Sequence, residues 1–228
     1  MYIAAMCDLA AGFSGLDSWN CTNGSPSTGT VCSESLGTAW EGVSCGSHFN
    51  VIEIYIYNSG LTGTLSTSIG LLTSVDYLYF NSDQLTGTIP TTIGFLTSLY
   101  YMDFSYNSFS GTIPSTIGLM VNIGHMHLEG NRLTGTIPTA IGLMTSLNYI
   151  YLSGNSLSGT IPSAVGLWTQ LYYLTLSFNS LIGTIPSALG SLTSLQYLLL
   201  SGNSLAGSIP TALGSMTSLY DLVLSYNS

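Results

Sequence analysis

The sequence has almost no basic residues. Its 228 residues include one Lys or Arg, Arg132, against ten Asp and Glu, and the formal net charge is −9. Binding to nucleic acid depends on clustered Lys and Arg, so this composition excludes nucleic acid as a partner. Binding to an anionic membrane surface is excluded for the same reason. Hydration of the surface must come from Ser, Thr, Asn, Gly and Tyr.

Long apolar runs are also missing. Hydrophobic residues make up 46% of the chain, but no uninterrupted run approaches the ~18 residues of a membrane span, so we expect no membrane insertion. No Ser lies in a nucleophile motif and no catalytic carboxylate pair is evident, so we expect neither enzymatic activity nor a cofactor.

Cysteine is missing from most of the chain. The four cysteines lie before residue 50, and none of them forms a CxxC pair that would indicate zinc. An even, clustered set of this kind indicates disulfides in a secreted protein, with three possible connectivities. The cysteines are Cys7, Cys21, Cys32 and Cys45.

What the sequence does contain is a strict 24-residue repeat. A Gly recurs seven times without insertion, at Gly63, Gly87, Gly111, Gly135, Gly159, Gly183 and Gly207. A fixed period of this length predicts a solenoid built from one repeated unit. Each unit contains a short alternating segment, such as Met102 and Phe104 between polar neighbours, which predicts a strand with one buried face.

Two further residue types recur at fixed positions of the repeat, and each predicts part of how a coil turns. A recurrent Asn is expected to bond the backbone of its own and the next coil, because buried backbone groups need partners. These residues are Asn107, Asn131, Asn155, Asn179, Asn203 and Asn227. A recurrent Pro is expected to open a short helical turn that a Gly closes. The prolines are Pro90, Pro114, Pro138, Pro162, Pro186 and Pro210.

These motifs carry a family resemblance. The pattern LxxLxxLxLxxNxLSGxIPxxLGxL over about residues 51–228 resembles the plant-type extracellular leucine-rich repeat of receptor ectodomains and polygalacturonase-inhibiting proteins. Trp19-Asn20, Cys32 and the segment 40–45 resemble the N-terminal cap of that family.

The resemblance implies both a fold and a role. It implies an α/β solenoid, a right-handed superhelix with a parallel sheet on its concave face. Residues 1–50 would form a disulfide cap, and residues 51–228 seven full repeats plus a final strand without a C-terminal cap. The family pattern implies a Cys32–Cys45 disulfide, which leaves Cys7 and Cys21 for a second. It also implies non-catalytic extracellular recognition of a protein, peptide or glycan.

The concave positions of the predicted strands are rich in tyrosine. Tyr offers a broad apolar ring and one hydroxyl, which suits protein contacts and stacking against sugars. Packing between neighbouring strands is the alternative role. The predicted binding residues are Tyr55, Tyr77, Tyr79, Tyr101, Tyr149, Tyr151, Tyr173 and Tyr197.

One repeat differs from the others because it holds two histidines. His125, His127 and Glu129 alternate along one strand, and Asp103 is the register neighbour of His127. A His-x-His pair with carboxylates is a candidate Zn²⁺ or Cu²⁺ site. A polar patch or a pH-sensitive contact is the alternative.

Hydroxyl residues flank the repeated Gly and suggest two alternative functions. A regular grid of Thr on a second strand resembles the faces of some ice-binding solenoids, although Thr is also a good exposed strand residue. The same hydroxyls could carry O-glycans, as in a structural glycoprotein of a cell wall or extracellular fibre. Asn20 and Asn23 begin N-glycosylation sequons. The candidate ice-binding residues are Thr62, Thr64, Thr86, Thr88, Thr112, Thr134, Thr136 and Thr160.

The last strand is expected to expose apolar residues. Leu219, Leu222 and Leu224 have no following coil in the sequence to cover them. An exposed strand edge is a template for joining another chain. We therefore expect this end to be covered, either by further repeats or by a neighbouring subunit in a head-to-tail array, with Trp19, Trp40 and Phe49 of the cap as the matching surface in the second case.

Overall fold

A computed structural model describes residues 2–15, 21–22, 25–26, 42–46 and 50–228. The predicted sequons at Asn20 and Asn23 lie outside these residues, as do Cys32 and the side chain of Cys21. The proposed cap surface of Trp19, Trp40 and Phe49 lies outside them too. Neither Cys7 nor Cys45 is a free thiol. The pairing of the four cysteines stays a prediction.

The N-terminal segment packs on the first coil of the solenoid. Its elements are helix α1 (Tyr2–Ala11) and strands β1 (Phe13–Ser14), β2 (Cys21–Thr22), β3 (Ser25–Pro26) and β4 (Val43–Cys45). Ala5, Met6 and Leu9 are fully buried. The Gly12 carbonyl accepts a 2.9 Å hydrogen bond from the Thr64 amide, so this segment covers the edge of the first coil.

A nine-stranded sheet forms the concave face. Strand β4 is antiparallel to its neighbour, and all later neighbours are parallel and follow in chain order, with one strand of another sheet between each two. Hydrogen-bonded neighbours in this sheet are 24 residues apart, as His125 and Tyr149 are. The remaining strands of the sheet are β5 (Val51–Tyr55), β7 (Tyr77–Tyr79), β9 (Tyr101–Asp103), β11 (His125–His127), β13 (Tyr149–Tyr151), β15 (Tyr173–Thr175), β17 (Tyr197–Leu199) and β19 (Asp221–Val223).

A second line of strands follows the repeated Gly. In this line, paired residues on neighbouring strands are 22 residues apart in sequence, as Thr112 and Thr134 are. The pairing is therefore offset by two residues from the 24-residue pairing of the concave sheet. A parallel bridge between Thr88 and Ser110 joins its two parts. These strands are β6 (Thr62–Thr64), β8 (Gln84–Thr86), β10 (Ser110–Thr112), β12 (Arg132–Thr136), β14 (Ser156–Gly159), β16 (Ser180–Gly183) and β18 (Ser204–Leu205).

Short 3-10 helices close the coils on the side of the core away from the concave sheet. Six of them follow directly on one of the six predicted prolines, which confirms the predicted role of proline. The glycine expected to close each helix, such as Gly94, instead lies inside it. Proline has a fixed φ and lacks a donor, so it fits a helix start. The helices are Thr67–Leu71, Thr91–Phe95, Ser115–Leu119, Thr139–Leu143, Ser163–Leu167, Ser187–Ser191 and Thr211–Ser215.

The core and the asparagine column follow the sequence prediction. Met102 and Phe104, like their equivalents from the first coil to Leu198 and Leu200, are at most 4% exposed. Asn131 Oδ1 accepts a 3.0 Å bond from the Phe109 amide of the preceding coil. Its Nδ2 donates to the carbonyls of Phe104 (2.9 Å) and Leu128 (3.1 Å). The side chain therefore joins two coils.

The last coil is less covered than the others. Leu222 is 38% exposed, and Leu219 and Leu224 are only partly buried. Their exposure agrees with the prediction, whereas head-to-tail association stays a prediction. None of the helices in the described ranges has the length and apolar content that a bilayer span requires.

A tyrosine ladder on the concave face as candidate functional site

The predicted binding tyrosines all lie on strands of the concave sheet. Tyr55 is half exposed, and the other seven are intermediate. Their neighbours on each strand, such as Ile150 between Tyr149 and Tyr151, point into the core and are buried. The alternation of a short strand thus fixes which side chains face the concave side.

The rings stack on one another along the solenoid. Tyr79 and Tyr101 have ring centroids 4.7 Å apart at 24°, and Tyr151 and Tyr173 are 4.8 Å apart at 23°. His127 lies between these pairs, 5.2 Å from Tyr101 and 4.4 Å from Tyr151. This row of contacts is stacked from Tyr79 to Tyr173 and tilted at its two ends, where Tyr55 and Tyr197 lie. We call it the tyrosine ladder; its members are Tyr55, Tyr79, Tyr101, His127, Tyr151, Tyr173 and Tyr197.

Each concave strand has two positions that face the concave side, and equivalent positions form two columns along the sheet. The ladder passes from one column to the other where a strand has a smaller side chain in the first. Asp103 and Thr175 occupy the column that holds Tyr79 and Tyr151 in neighbouring strands. Tyr101 and Tyr173 come from the other column and stack in the gaps that these smaller side chains leave. His125 forms a branch beside the ladder, because its ring stacks on both Tyr101 (5.0 Å) and Tyr149 (4.6 Å).

A second aromatic row borders the ladder and was missed at the sequence level. Tyr100 lies 5.4 Å from the ring of His125, and Tyr172 lies 5.4 Å from that of Tyr149. Both residues immediately precede a strand rather than lie within it. The signal that could have found them is the doubled tyrosine, Tyr100-Tyr101 and Tyr172-Tyr173.

Burial in the stack changes the acidity of its members. It raises the pKa of Tyr151 to about 12, with a smaller effect from Tyr173, and it raises the pKa of Tyr101 well above its ordinary range, helped by Asp103. Burial and the neighbouring His127 lower the pKa of His125. The raised pKa values keep the Tyr101 and Tyr151 hydroxyls protonated at neutral pH, so they can donate, and the lowered pKa of His125 favours its neutral form.

The histidine repeat is built into the ladder. The His125 and His127 rings are parallel, with centroids 6.4 Å apart, and the ring of Tyr149 stacks on His125. His127 Nδ1 lies 3.7 Å from Glu129 Oε1. Among the described residues no group of three or more His, Cys, Asp or Glu could hold a metal ion.

The predicted metal site is therefore corrected to an aromatic and polar patch. Its fourth member, Asp103, is committed elsewhere, because its Oδ1 accepts from the Ser105 amide (3.0 Å) and hydroxyl (2.6 Å).

The eight candidate ice-binding threonines are exposed, but the second line of strands uses its side chains between coils. Thr86 and Thr134 donate to the carbonyls of Gly63 and Gly111, at 3.0 and 3.3 Å. The γ-methyl of Thr112 lies against Gly135 of the next coil. These contacts give the hydroxyl columns a structural role, and ice binding stays a prediction without support from the geometry.

A groove on another surface of the solenoid is also lined by the repeat. A groove of ≈ 730 Å³ runs between the second line of strands and the 3-10 helices, lined by repeated Thr, Ile and Pro residues such as Thr88, Ile89 and Pro90. Its lining contains no titratable side chain, so it offers no acid–base chemistry.

The fold and this face define a leucine-rich repeat solenoid whose concave side is open to a partner. Two family models agree, each described as a leucine-rich repeat; one matches residues 169–228 and the other residues 98–120 and 146–168. The chain belongs to the plant-type leucine-rich repeat family.

Solved plant receptors share this fold. The PEPR1–AtPEP1 structure is 30% identical, with a TM-score of 0.90 over 98% of this chain and 31% of that one. The Arabidopsis receptor kinase HAESA, solved with the peptide hormone IDA and the co-receptor SERK1, is 31% identical, with a TM-score of 0.84 over 100% and 38%. The plant peptide hormone receptor RGFR1 with RGF2 is 37% identical, with a TM-score of 0.77 over 78% and 28%.

The chain thus spans 28–38% of the length of these solved chains. A search of curated protein sequences found no significant match.

Proposed function

We propose that this chain is a non-catalytic, extracellular recognition module that binds an extended peptide along the tyrosine ladder. The observation that carries the proposal is the stacking itself. Because neighbouring rings cover much of each other's faces, a partner meets mainly ring edges and hydroxyls. Flat stacking against a sugar would need open faces, whereas the polar backbone of a peptide can use hydroxyl donors at regular spacing. Peptide and protein partners of the similar receptors support the same class of ligand.

The hydroxyls are available for such a partner. No hydrogen bond from a described residue affects the pKa of the Tyr101 or Tyr151 hydroxyl. Neither oxygen is among the buried polar atoms that lack a partner. The hydroxyls are therefore solvated donors that a peptide carbonyl could take over.

The charge of the face defines the peptide further. Glu53, Asp103 and Asp221 lie on the concave strands, and Glu129 follows His127 by two residues. The single Arg of the chain lies on β12, in the second line of strands. The described concave strands thus carry carboxylates and no Lys or Arg, and electrostatic complementarity favours a peptide rich in Lys and Arg.

Selection from a library of random linear peptides tests this proposal. Peptides that bind the unmodified chain should be enriched in Lys and Arg, and should lose about tenfold or more in affinity to a Tyr151→Ala/Tyr173→Ala double variant. Thr193→Ala is the matched control, because Thr193 is exposed on the helical side and only its backbone is hydrogen-bonded. Peptides that bind the double variant as well as the unmodified chain would contradict the proposal, provided circular dichroism shows the fold retained.

A further inference from the structure

An apolar stripe runs along the helical side of the solenoid. It is formed by the last residue of each of the first five 3-10 helices, and these side chains are 40–58% exposed. The two following helices end in Ser191 and Ser215 at the same position. We call the five residues the leucine stripe; they are Leu71, Phe95, Leu119, Leu143 and Leu167.

The stripe is continuous because the helices that carry it stack closely. A Cβ added at Gly94 or Gly118 would lie 2.1 or 2.3 Å from a backbone oxygen of the next helix. One stripe residue therefore follows another at about the strand spacing of 4.8 Å. Val121, 48% exposed, lies beside Leu119 and widens the stripe at its centre. No described 3-10 helix has an acid in its first turn or a base in its last.

The stripe is large enough to need an explanation. Single exposed apolar residues are ordinary, but adjacent ones form a patch. At roughly 100 Å² for each half-exposed side chain, the stripe and Val121 present on the order of 500 Å² of apolar surface. Two such surfaces in contact would bury about 1,000 Å², where specific interfaces begin.

We propose that two copies of this chain associate through the leucine stripe, with a two-fold axis at Leu119. A two-fold interface joins the same patch on both subunits, so the patch must be self-complementary. The stripe has an odd number of positions, is uncharged and is widest at its midpoint. Antiparallel alignment then places Leu119 against its own copy, Phe95 against Leu143 of the second copy, and Leu71 against Leu167 of the second copy.

This dimer goes beyond peptide binding and leaves the tyrosine ladder free. The ladder is on the opposite side of the core, so both concave faces stay open. The net charge of −9 on each copy opposes association. Added salt should therefore tighten the dimer, because it screens that repulsion while apolar contacts remain.

Sedimentation of the whole chain tests the interface. The unmodified chain should show a monomer–dimer equilibrium, and Leu119→Ser/Leu143→Ser should raise the dimer dissociation constant about tenfold or more. Ser occupies this position at Ser191 and Ser215, so the substitution suits the coil. Thr193→Ser/Thr217→Ser is the control with the same new side chain beyond the stripe, because these exposed residues follow the helices that end in Ser191 and Ser215. A monomer at all concentrations, or a dimer unchanged in the stripe variant, overturns the proposal.

Cysteine cross-linking tests the axis. Leu119→Cys should form a disulfide-linked dimer under mild oxidation, whereas Leu71→Cys alone should not. A mixture of the Leu71→Cys and Leu167→Cys chains should cross-link. Cross-linking by Leu71→Cys alone would overturn the antiparallel arrangement. A monomeric chain that binds phosphatidylcholine vesicles through the stripe would show a lipid partner instead, and would also overturn the proposal.

Discussion

The two lines of strands in each coil use the same repeat in opposite ways. In the second line, side chains bond or pack against the next coil, as Thr134 does with the Gly111 carbonyl and Thr112 with Gly135. On the concave sheet, the tyrosine rings contact one another across neighbouring strands. Positions that hold coils together tolerate few residue types, whereas positions that face solvent can vary. On the concave side the departures from the repeat include His125 and Asp103, which change the contacts between neighbouring rings.

The largest effect on stability is expected at an internal asparagine. Asn131→Ala removes the acceptor of the buried Phe109 amide and the donor to three carbonyls. The loss should be about 3 kcal/mol of unfolding free energy, because buried groups are left without partners. Asn122→Ala is the control, since that exposed side chain donates only to the Thr97 carbonyl, and should cost less than about 1 kcal/mol in urea unfolding. Equal losses would contradict a special role for the column.

A glycine of the second line should come next. Gly135 has φ +73°, and an added Cβ would lie 2.8 Å from Thr112 Cγ2. Gly135→Ala should destabilise by about 2–3 kcal/mol, from the left-handed backbone and the clash together. Gly154→Ala isolates the backbone term, because φ is +65° there and the nearest atom is 3.6 Å away. If urea midpoints shift equally in both variants, the methyl contact does not hold the coils together.

The asparagine column contains one exception, which predicts a stabilising change. Asp83 accepts bonds from the Ser59 and Leu61 amides, at 2.8 and 3.0 Å, but its Oδ2 is buried without a partner. In the other coils an amide nitrogen at this position donates to carbonyls. Asp83→Asn should therefore raise the unfolding free energy by about 1 kcal/mol. A lower melting temperature for this variant would show that the aspartate is better suited to its coil.

The smallest expected effect concerns the ladder in alkali. Tyr151 holds its proton more tightly when folded, with its pKa raised from 10.0 to about 12. Between these values the unfolded chain has lost the proton and the folded chain has kept it. Stability present below pH 10 should therefore decline as the pH rises towards 12. Tyr151→Phe should flatten this decline, as measured by unfolding at several pH values. A decline that is unchanged in Tyr151→Phe would assign it to other groups.

The sequence predicted whatever recurs every 24 residues. The buried columns, the asparagine bonds and the prolines before the helices are confirmed because each depends on one residue type in one local geometry. The stacking of Tyr101 between Tyr79 and His127 was not predicted, because it depends on the position of the Tyr101 ring beside the smaller Asp103. Such a contact between coils depends on which side chains lie on neighbouring strands, and the residues at one repeat position do not show this by themselves.

Other features lacked a repeating signal. Helix α1 lies before the first repeat, so the period says nothing about it. The metal prediction was wrong because alternation places His125 and His127 on one face but does not bring their nitrogens together. Their rings instead stack between tyrosines. The leucine stripe was visible in the sequence, but its importance depends on the exposure of the last helical residue.

The position of Arg132 has a consequence for proteolysis. Trypsin cleaves after Lys or Arg, and Arg132 is the one such residue in the chain. It begins β12, where its amide donates to the Phe109 carbonyl of the preceding coil. Trypsin cannot take the segment around Arg132 into its active site until the middle coil opens and releases this strand. Trypsin therefore leaves the folded chain whole and cuts the opened chain once, into residues 1–132 and 133–228. The appearance of those two fragments measures how often the centre of the solenoid comes apart.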